Sequence, residues 1–183
     1  MTTLTLYADH DVSHALARHT EFTAIREALA EIGVGFQRWQ TEAPLPPDAS
    51  TETVLAAYAE QVEELKRRYA FESVDVASIH PEHPQAEAAR GKFLAEHTHD
   101  DFEIRFFVEG SGAFYIRKHG RVYMTVCTAG DLIELPANTT HWFDMGPRPY
   151  FKAIRFFTKA EGWVGHFTGD EIAKRFPAYS SAA

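Results

Sequence analysis

Three histidines and one glutamate carry the chemistry of this chain. His97, His99 and Glu103 stand in Gly91-(x5)-His97-x-His99-(x3)-Glu103-(x6)-Gly110, and His141 stands in Gly130-(x5)-Pro136-x-Asn138-(x2)-His141. Three imidazoles and a carboxylate make a nitrogen/oxygen donor set that suits iron, nickel, manganese or zinc. The lack of a thiolate among them argues against a soft-metal or iron–sulfur site. Side chains on a strand alternate faces with a period of two, so positions 97, 99 and 103 can aim to one side of a single extended segment. Arg105 and Phe107 share that parity. His141 is too far along the chain for the same strand and must arrive on a second strand laid alongside. Ten histidines in 183 residues make chance His-x-His pairs common. The glutamate at matching parity, the bracketing glycines and the second Gly…Pro…His block raise these four residues above that background.

Strands hold metal ligands in a fixed geometry better than a loop does, and the surrounding sequence supplies them. From Ser73 onward Val74 and Val76 alternate with polar residues, as in a half-buried strand. After the first ligand block come short strands over 104–108, 113–117, 122–127, 132–135 and 151–157. Turn signals separate them: Gly110-Ser111-Gly112, His119-Gly120, Ala129-Gly130-Asp131 and Gly146-Pro147-Arg148-Pro149. This spacing predicts an all-β sandwich or barrel. The first third reads as helical. Phe22, Ile25, Leu29 and Ile32 make one apolar face, and Gly33 and Gly35 stop that helix. After the turn-rich stretch Ala43–Asp48, a second helix starts near Ser50 or Thr51, either of which can cap it. Its apolar face is Val54, Leu55, Tyr58, Val62, Leu65 and Tyr69, and both helices are expected to pack outside the sheet. His80-Pro81-Glu82-His83-Pro84 reads as a turn, 85–92 as a loop or short helix, and the tail from Asp170 as a last short helix that frays at Ser180-Ser181-Ala182-Ala183.

Composition bounds the function. The length fits one domain. A hydrophobic content of 45 % with 14 Phe is enough for a sizeable core. The net charge of −8 and a pI near 5.7 disfavour a phosphate-backbone or anionic-membrane partner. The densest basic run, Lys66-Arg67-Arg68, follows Glu63 and Glu64 and reads as a solvated helix face. A single cysteine, Cys127, excludes an intramolecular disulfide, and its strand-like setting suits a small buried hydrophobe. The N-terminus lacks the basic and apolar regions of a signal peptide, and no run approaches the ~20 apolar residues of a membrane span. The cytoplasm is therefore the expected compartment.

The two ligand blocks resemble the paired motifs of the cupin superfamily, which implies a mainly β, double-stranded β-helix (jelly-roll) barrel with the N-terminal helices packed outside. On that resemblance residues 1–183 form one cupin domain: a mostly helical part over 1–72, a β-barrel core over 73–160 and an extension over 161–183. The second block departs from the pattern at Asn138, where glycine is usual, and at Met145, where the motif ends in asparagine. Asn tolerates left-handed backbone better than most residues, and Met145 lies outside the ligand set. The run from His97 through Gly112 and the run from Pro136 through Met145 resemble the acireductone dioxygenase family more closely, and Arg155-Phe156-Phe157 fits as well.

That resemblance implies metal-dependent cleavage of an acireductone by O2 in methionine salvage. It implies one Fe(II) or Ni(II) per chain, held by His97, His99, Glu103 and His141, with different products from the two metals. It gives Arg105 and Arg155 catalytic positions facing the pocket, where each could stabilise a dianionic substrate. It makes Phe93 and Phe143 candidates for an apolar slot around the methylthio tail. A strand arginine paired with a surface carboxylate, and plain core packing of the phenylalanines, stay open as alternatives. The implied partners are the small-molecule substrate and O2, with no nucleic acid or membrane partner and a monomeric state. Two rivals share the ligand pattern. A cupin sugar-phosphate isomerase would need a cationic phosphate pocket, and a non-catalytic cupin sensor would need a partner domain; neither feature is evident in the sequence.

Overall fold

The computed structural model describes residues 1–40, 45–46, 48–159 and 163–180; residues 43, 44 and 47 of the turn-rich stretch and 181–183 of the tail lie outside them. Among the described residues the architecture is mainly β. The strands are β1 (Thr3–Ala8), β2 (Asp11–His19), β3 (Gly35–Arg38), β4 (Ser73–Ile79), β5 (His97–Thr98), β6 (Glu103–Lys118), β7 (Arg121–Thr128), β8 (Asp131–Leu135), β9 (His141–Asp144), β10 (Phe151–Phe157) and β11 (His166–Phe167). The helices are α1 (Phe22–Ala30), α2 (Thr51–Ala57), α3 (Ala59–Tyr69) and α4 (Ala86–Phe93), with a 3₁₀ turn at Ile172–Arg175.

β6 organises the molecule. Its first half pairs with β8 and β10, and its second half pairs with β7 and β9. What reads in sequence as two short strands split by Gly110-Ser111-Gly112 is one 16-residue strand that passes from one sheet to the other. Gly110 sits at the corner with φ +71°, where a Cβ would lie 1.9 Å from the Tyr150 carbonyl oxygen. Just before it the register with β10 jumps from Phe107 to Glu109. This β-bulge adds a residue and reverses the inward parity. Before it Phe107 points to the main core; after it Phe114 and Ile116 do.

The sheet that holds β11, β5, β9, β6, β7, β1 and β2 and the sheet that holds β3, β8, β6, β10 and β4 enclose that core, and the hydrogen-bonded path stays open rather than closing on itself. Leu4, Phe114, Tyr123 and Phe143 from one sheet meet Phe36, Phe107, Ile133 and Phe151 from the other. Ser50 caps α2 by accepting from the Thr53 N–H at 3.2 Å. The expected second helix breaks at Tyr58 into α2 and α3, which cover the outer face of β6, β8 and β10 through Val54, Val62, Leu65, Ile104, Phe106 and Phe156. The tail covers the outer face of the other sheet, with Ile172, Phe176 and Tyr179 against Tyr115 and Trp142.

Two features differ from the sequence reading. The first third also supplies three strands, two of which pair with strands of the later β-rich region: β1 with β7 and β3 with β8. Leu4 and Leu6 alternate as a half-buried strand should. β2 gives no such pattern, because it is an exposed edge strand. Second, α1 does not merely lie outside: Ile25 and Leu29 are fully buried in the main core. The basic run on α3 is paired as a solvated face, Lys66 with Glu63 and Arg68 with Glu64. No helix among the described residues is long and apolar enough to cross a membrane.

Candidate metal centre

Three strands bring the four ligands together, with His99 one residue past the end of β5. His97 on β5 stands directly opposite His141 on β9, and β9 is locked against β6, whose first residue is Glu103. His97, His99 and Glu103 do not share one unbroken strand as expected, because the chain bends at Asp100 and Asp101 between β5 and β6. Asp101 fixes that bend, accepting from the N–H of its neighbour Phe102 at 2.7 Å and from the Thr158 N–H at 3.0 Å. The second motif supports the first through its unusual residue. Asn138 has φ +60°, the left-handed backbone that glycine usually supplies, and its N–H donates to the His99 carbonyl at 2.7 Å.

The donor atoms of His97, His99, Glu103 and His141 all lie within 4.8 Å of one another, and none of the four residues is more than 4 % exposed. Each Nδ1 faces a backbone carbonyl: His97 that of Ala95 at 2.7 Å, His99 that of Val164 at 2.8 Å, His141 that of Thr139 at 2.8 Å. A carbonyl only accepts, so each Nδ1 carries the hydrogen and the neutral ring turns its Nε2 lone pair inward. The Nε2 atoms of His99 and His141 then lie 3.2 and 3.0 Å from Glu103 Oε2. Lone pairs set against a carboxylate in a buried site need a cation between them. Glu103 Oε1 accepts from Arg105 Nη2 at 2.8 Å, which leaves Oε2 for that cation. The residues therefore fit a divalent metal held by three nitrogens and one oxygen.

Electrostatics agree. Burial lowers the pKa of His97 to about 4, helped by the like charge of His141, so the ring is neutral near pH 7. Burial opposes charge on Glu103, but Arg105 and the hydrogen bonds of His141 and His99 outweigh it and hold the carboxyl well below its usual range. Burial also opposes charge on His99, but its hydrogen bond to Glu103 and that carboxylate's charge outweigh it and raise its pKa, so without metal a proton on Nε2 can stand where the cation would. Burial pushes the Cys127 thiol well above its usual value, consistent with an inert core residue.

A cavity of about 310 Å³ meets the cluster through Arg105, with none of the four ligands on its lining, and is also lined by Arg155, the apolar Ile79, Phe93, Met145 and Phe151, and the more polar Ser78, His83 and Gln85. Arg105 is buried, lies 4.3 Å over the Phe143 ring, and its Nε has no hydrogen-bond partner among the described residues. Phe143 itself is buried in the core beneath Arg105 and does not line this cavity, unlike Phe93. Arg155 stands opposite Arg105 across the β10·β6 pair and is held by Asp75. The Trp163 ring lies 5.4 Å from the Arg105 guanidinium, 5.9 Å from that of Arg155, and 6.2 Å from the His99 ring. Glu96 turns away to Arg117 and Thr168, and Asp100 pairs with exposed His166. His80 and His83 form a turn, with the His83 N–H on the His80 carbonyl, and neither joins the ligand group. Sequence reasoning missed Asp75, Trp163 and Met145 as neighbours of the site. Asp75 had a signal, since it alternates with Val74 and Val76 and so falls on the inner face of β4.

A two-sheet β sandwich with a buried three-histidine, one-glutamate cluster defines a metal-binding protein of the cupin-like kind. The profile of the ARD/ARD′ family matches residues 3–165. The acireductone dioxygenase of Parvibaculum lavamentivorans is 54 % identical over 181 residues, covering 99 % of this chain and 98 % of that one. That of Methylococcus capsulatus is 57 % identical over 157 residues, covering 86 % and 84 %. The solved structure of acireductone dioxygenase from Bacillus anthracis, with a cadmium ion in its active centre, superposes with a TM-score of 0.79 at 28 % identity, covering 91 % of this chain and 98 % of that one. The chain belongs to the ARD/ARD′ family of dioxygenase enzymes.

Proposed function

We propose that this protein cleaves the acireductone 1,2-dihydroxy-3-keto-5-methylthiopentene with O2 in methionine salvage, as one cytoplasmic, monomeric domain over 1–183 with no nucleic-acid or membrane partner. The observation that carries the reading is the inward turn of the imidazole lone pairs onto Glu103 Oε2 beside a cavity walled by two arginines. His97, His99, Glu103 and His141 would hold one Fe(II) or Ni(II), which supplies a Lewis acid and template for an enediol.

The protein's own groups do the rest. The three Nδ1–H···O=C bonds hold the imidazoles in the tautomer that ligates. Arg105 orients Glu103 and presents a buried positive charge to a deprotonated enediol. Arg155, on the neighbouring strand, is the second fixed charge. Phe93, Met145 and Phe151 give the methylthio tail an apolar wall, and Met145 adds a soft sulfur-lined surface. The role of Phe143 is to seat the Arg105 guanidinium rather than to touch the tail. With iron the expected products are formate and 4-methylthio-2-oxobutanoate. With nickel they are 3-methylthiopropionate, formate and carbon monoxide. Both sets account for every atom of substrate plus one O2.

The test is aerobic turnover of synthetic acireductone by protein stripped of metal and reloaded separately with Fe(II) and Ni(II). Loss of the substrate's ultraviolet absorbance above the uncatalysed rate, with keto acid from the iron form and carbon monoxide from the nickel form, is expected. Identical products from both forms would refute the metal-selected branch. No loss above background in either form would refute the substrate.

A further inference from the structure

Asp75, Arg155 and Arg105 form one row across three strands. Arg155 on β10 pairs in register with Asp75 on β4 on one side and with Arg105 on β6 on the other. The row lies on the inner face: Ala77 and Ile79 continue it on β4 into the cavity, while Val74 and Val76 pack outward against the helices. Asp75 takes Arg155 by one edge, Oδ1 accepting from Nε at 2.8 Å and Oδ2 from Nη2 at 2.6 Å. Among the described residues, the rings of Phe157 at 5.3 Å and Trp163 at 5.9 Å also flank that guanidinium.

The pair is poorly placed to act through stability. Its side chains are 30 % and 46 % exposed, and pairs so accessible to water contribute little to folding. Its geometry is what matters. A two-point clasp fixes the plane of a guanidinium as a single contact does not. Charge points the same way. Two arginines on adjacent strands repel, and each has its own carboxylate: Arg105 has Glu103 at 2.8 Å, and Arg155 has Asp75. The four charges cancel, so the metal sets the net charge that an ionised substrate meets. Without Asp75 these four charges would be left with one uncompensated positive charge, and among the described residues the rings of Phe157 and Trp163 would be left to direct Arg155.

We infer that Asp75 is a positioning residue for the reaction: it clasps the outer edge of Arg155, turns that arginine toward the cavity, and keeps the paired-arginine wall neutral before substrate enters. This rests on the dioxygenase reading and adds to it a residue that touches neither metal nor substrate.

The test compares wild type, Asp75→Asn, Asp75→Glu, Arg155→Met and the Asp75→Asn/Arg155→Met double variant. One readout needs no turnover. In metal-free protein labelled with ¹⁵N-arginine, the Arg155 Nε–H resonance, assigned by its absence from Arg155→Met, is expected to be sharp in wild type and Asp75→Glu and broadened by exchange in Asp75→Asn. The second readout is steady-state kinetics on metal-loaded protein. Asp75→Asn is expected to lower kcat/KM by about ten-fold or more, with metal content unchanged and the unfolding temperature within about 2 °C. Asp75→Glu should recover much of the rate, and the double variant should be no slower than Arg155→Met alone. Wild-type kinetics in Asp75→Asn, additive losses in the double variant, or a loss of rate that merely tracks unfolding would each overturn the inference. If wild type itself does not turn over acireductone, the dioxygenase reading fails, and an Arg155 resonance that stays sharp in Asp75→Asn separately overturns the clasp.

Discussion

At Glu103 the two carboxylate oxygens have separate tasks. Oε1 is held by Arg105 and Oε2 faces the imidazoles. Glu103→Gln keeps the shape and removes the charge, so metal affinity should fall by more than the ~100-fold that changes around a ligand typically cost. It also leaves Arg105 buried without its counter-charge, which should destabilise the metal-free protein by about 3 kcal/mol. Metal titration followed by calorimetry and urea unfolding check the two effects separately. Arg105→Met is different, since it keeps most of the volume over Phe143 and spares all four ligands. Metal content should stay near one per chain while kcat falls by about 10²- to 10³-fold, the usual cost of removing a fixed charge donor from a reacting centre. Metal loss in Arg105→Met would show that Arg105 acts through ligation alone.

Among the elements, β6 carries the most demanding local geometry. Gly110→Ala would place a methyl 1.9 Å from the Tyr150 carbonyl oxygen at a positive φ, and should cost about 3 kcal/mol or more, roughly 6–12 °C in unfolding temperature. Gly120→Ala is the control. It has a similar positive φ but nothing within 4 Å among the described residues, so only the backbone cost of about 1 kcal/mol remains. Equal melting temperatures for the two variants would remove the corner from the account. This element also shows what was legible beforehand. The ligands could be read because residue type, parity and bracketing turns all agreed. The corner could not, because Gly110-Ser111-Gly112 carries the same signal whether the chain turns back or continues into a second sheet. β1 and β3 were hidden for another reason: they are short, and their pairing with β7 and β8 spans most of the chain. Trp163 reaches the arginines from a segment with no periodic pattern, so only the folded structure places it there. Asp75 was readable as an inward carboxylate, but its partner was not, since strand order is not written in local sequence.

For the whole molecule, acid should be destabilising in a definite window. His97 has its pKa lowered to about 4 in the fold against 6.5 for the free group. The unfolded chain therefore takes up that proton first, and stability present above pH 6.5 is lost as pH falls toward 4. The raised pKa of His99 acts above 6.5 and the lowered pKa of Glu103 acts below 4.5, so neither cancels the effect in this range. The expected loss in metal-free protein is about 3 kcal/mol, read as a falling unfolding temperature between pH 7 and pH 4.5; a flat profile would contradict it. Metal at 100-fold its dissociation constant should add about 2.7 kcal/mol at neutral pH.

The most direct measurement is oxygen uptake at pH 7 with metal-loaded wild-type protein, metal-stripped protein and folded Glu103→Ala side by side, each given the same amount of acireductone. One O2 consumed per substrate is expected from the loaded wild type, and uncatalysed oxidation alone from the other two. Substrate-dependent uptake that survives in folded Glu103→Ala would contradict the assignment of His97, His99, Glu103 and His141 as the metal centre of a dioxygenase.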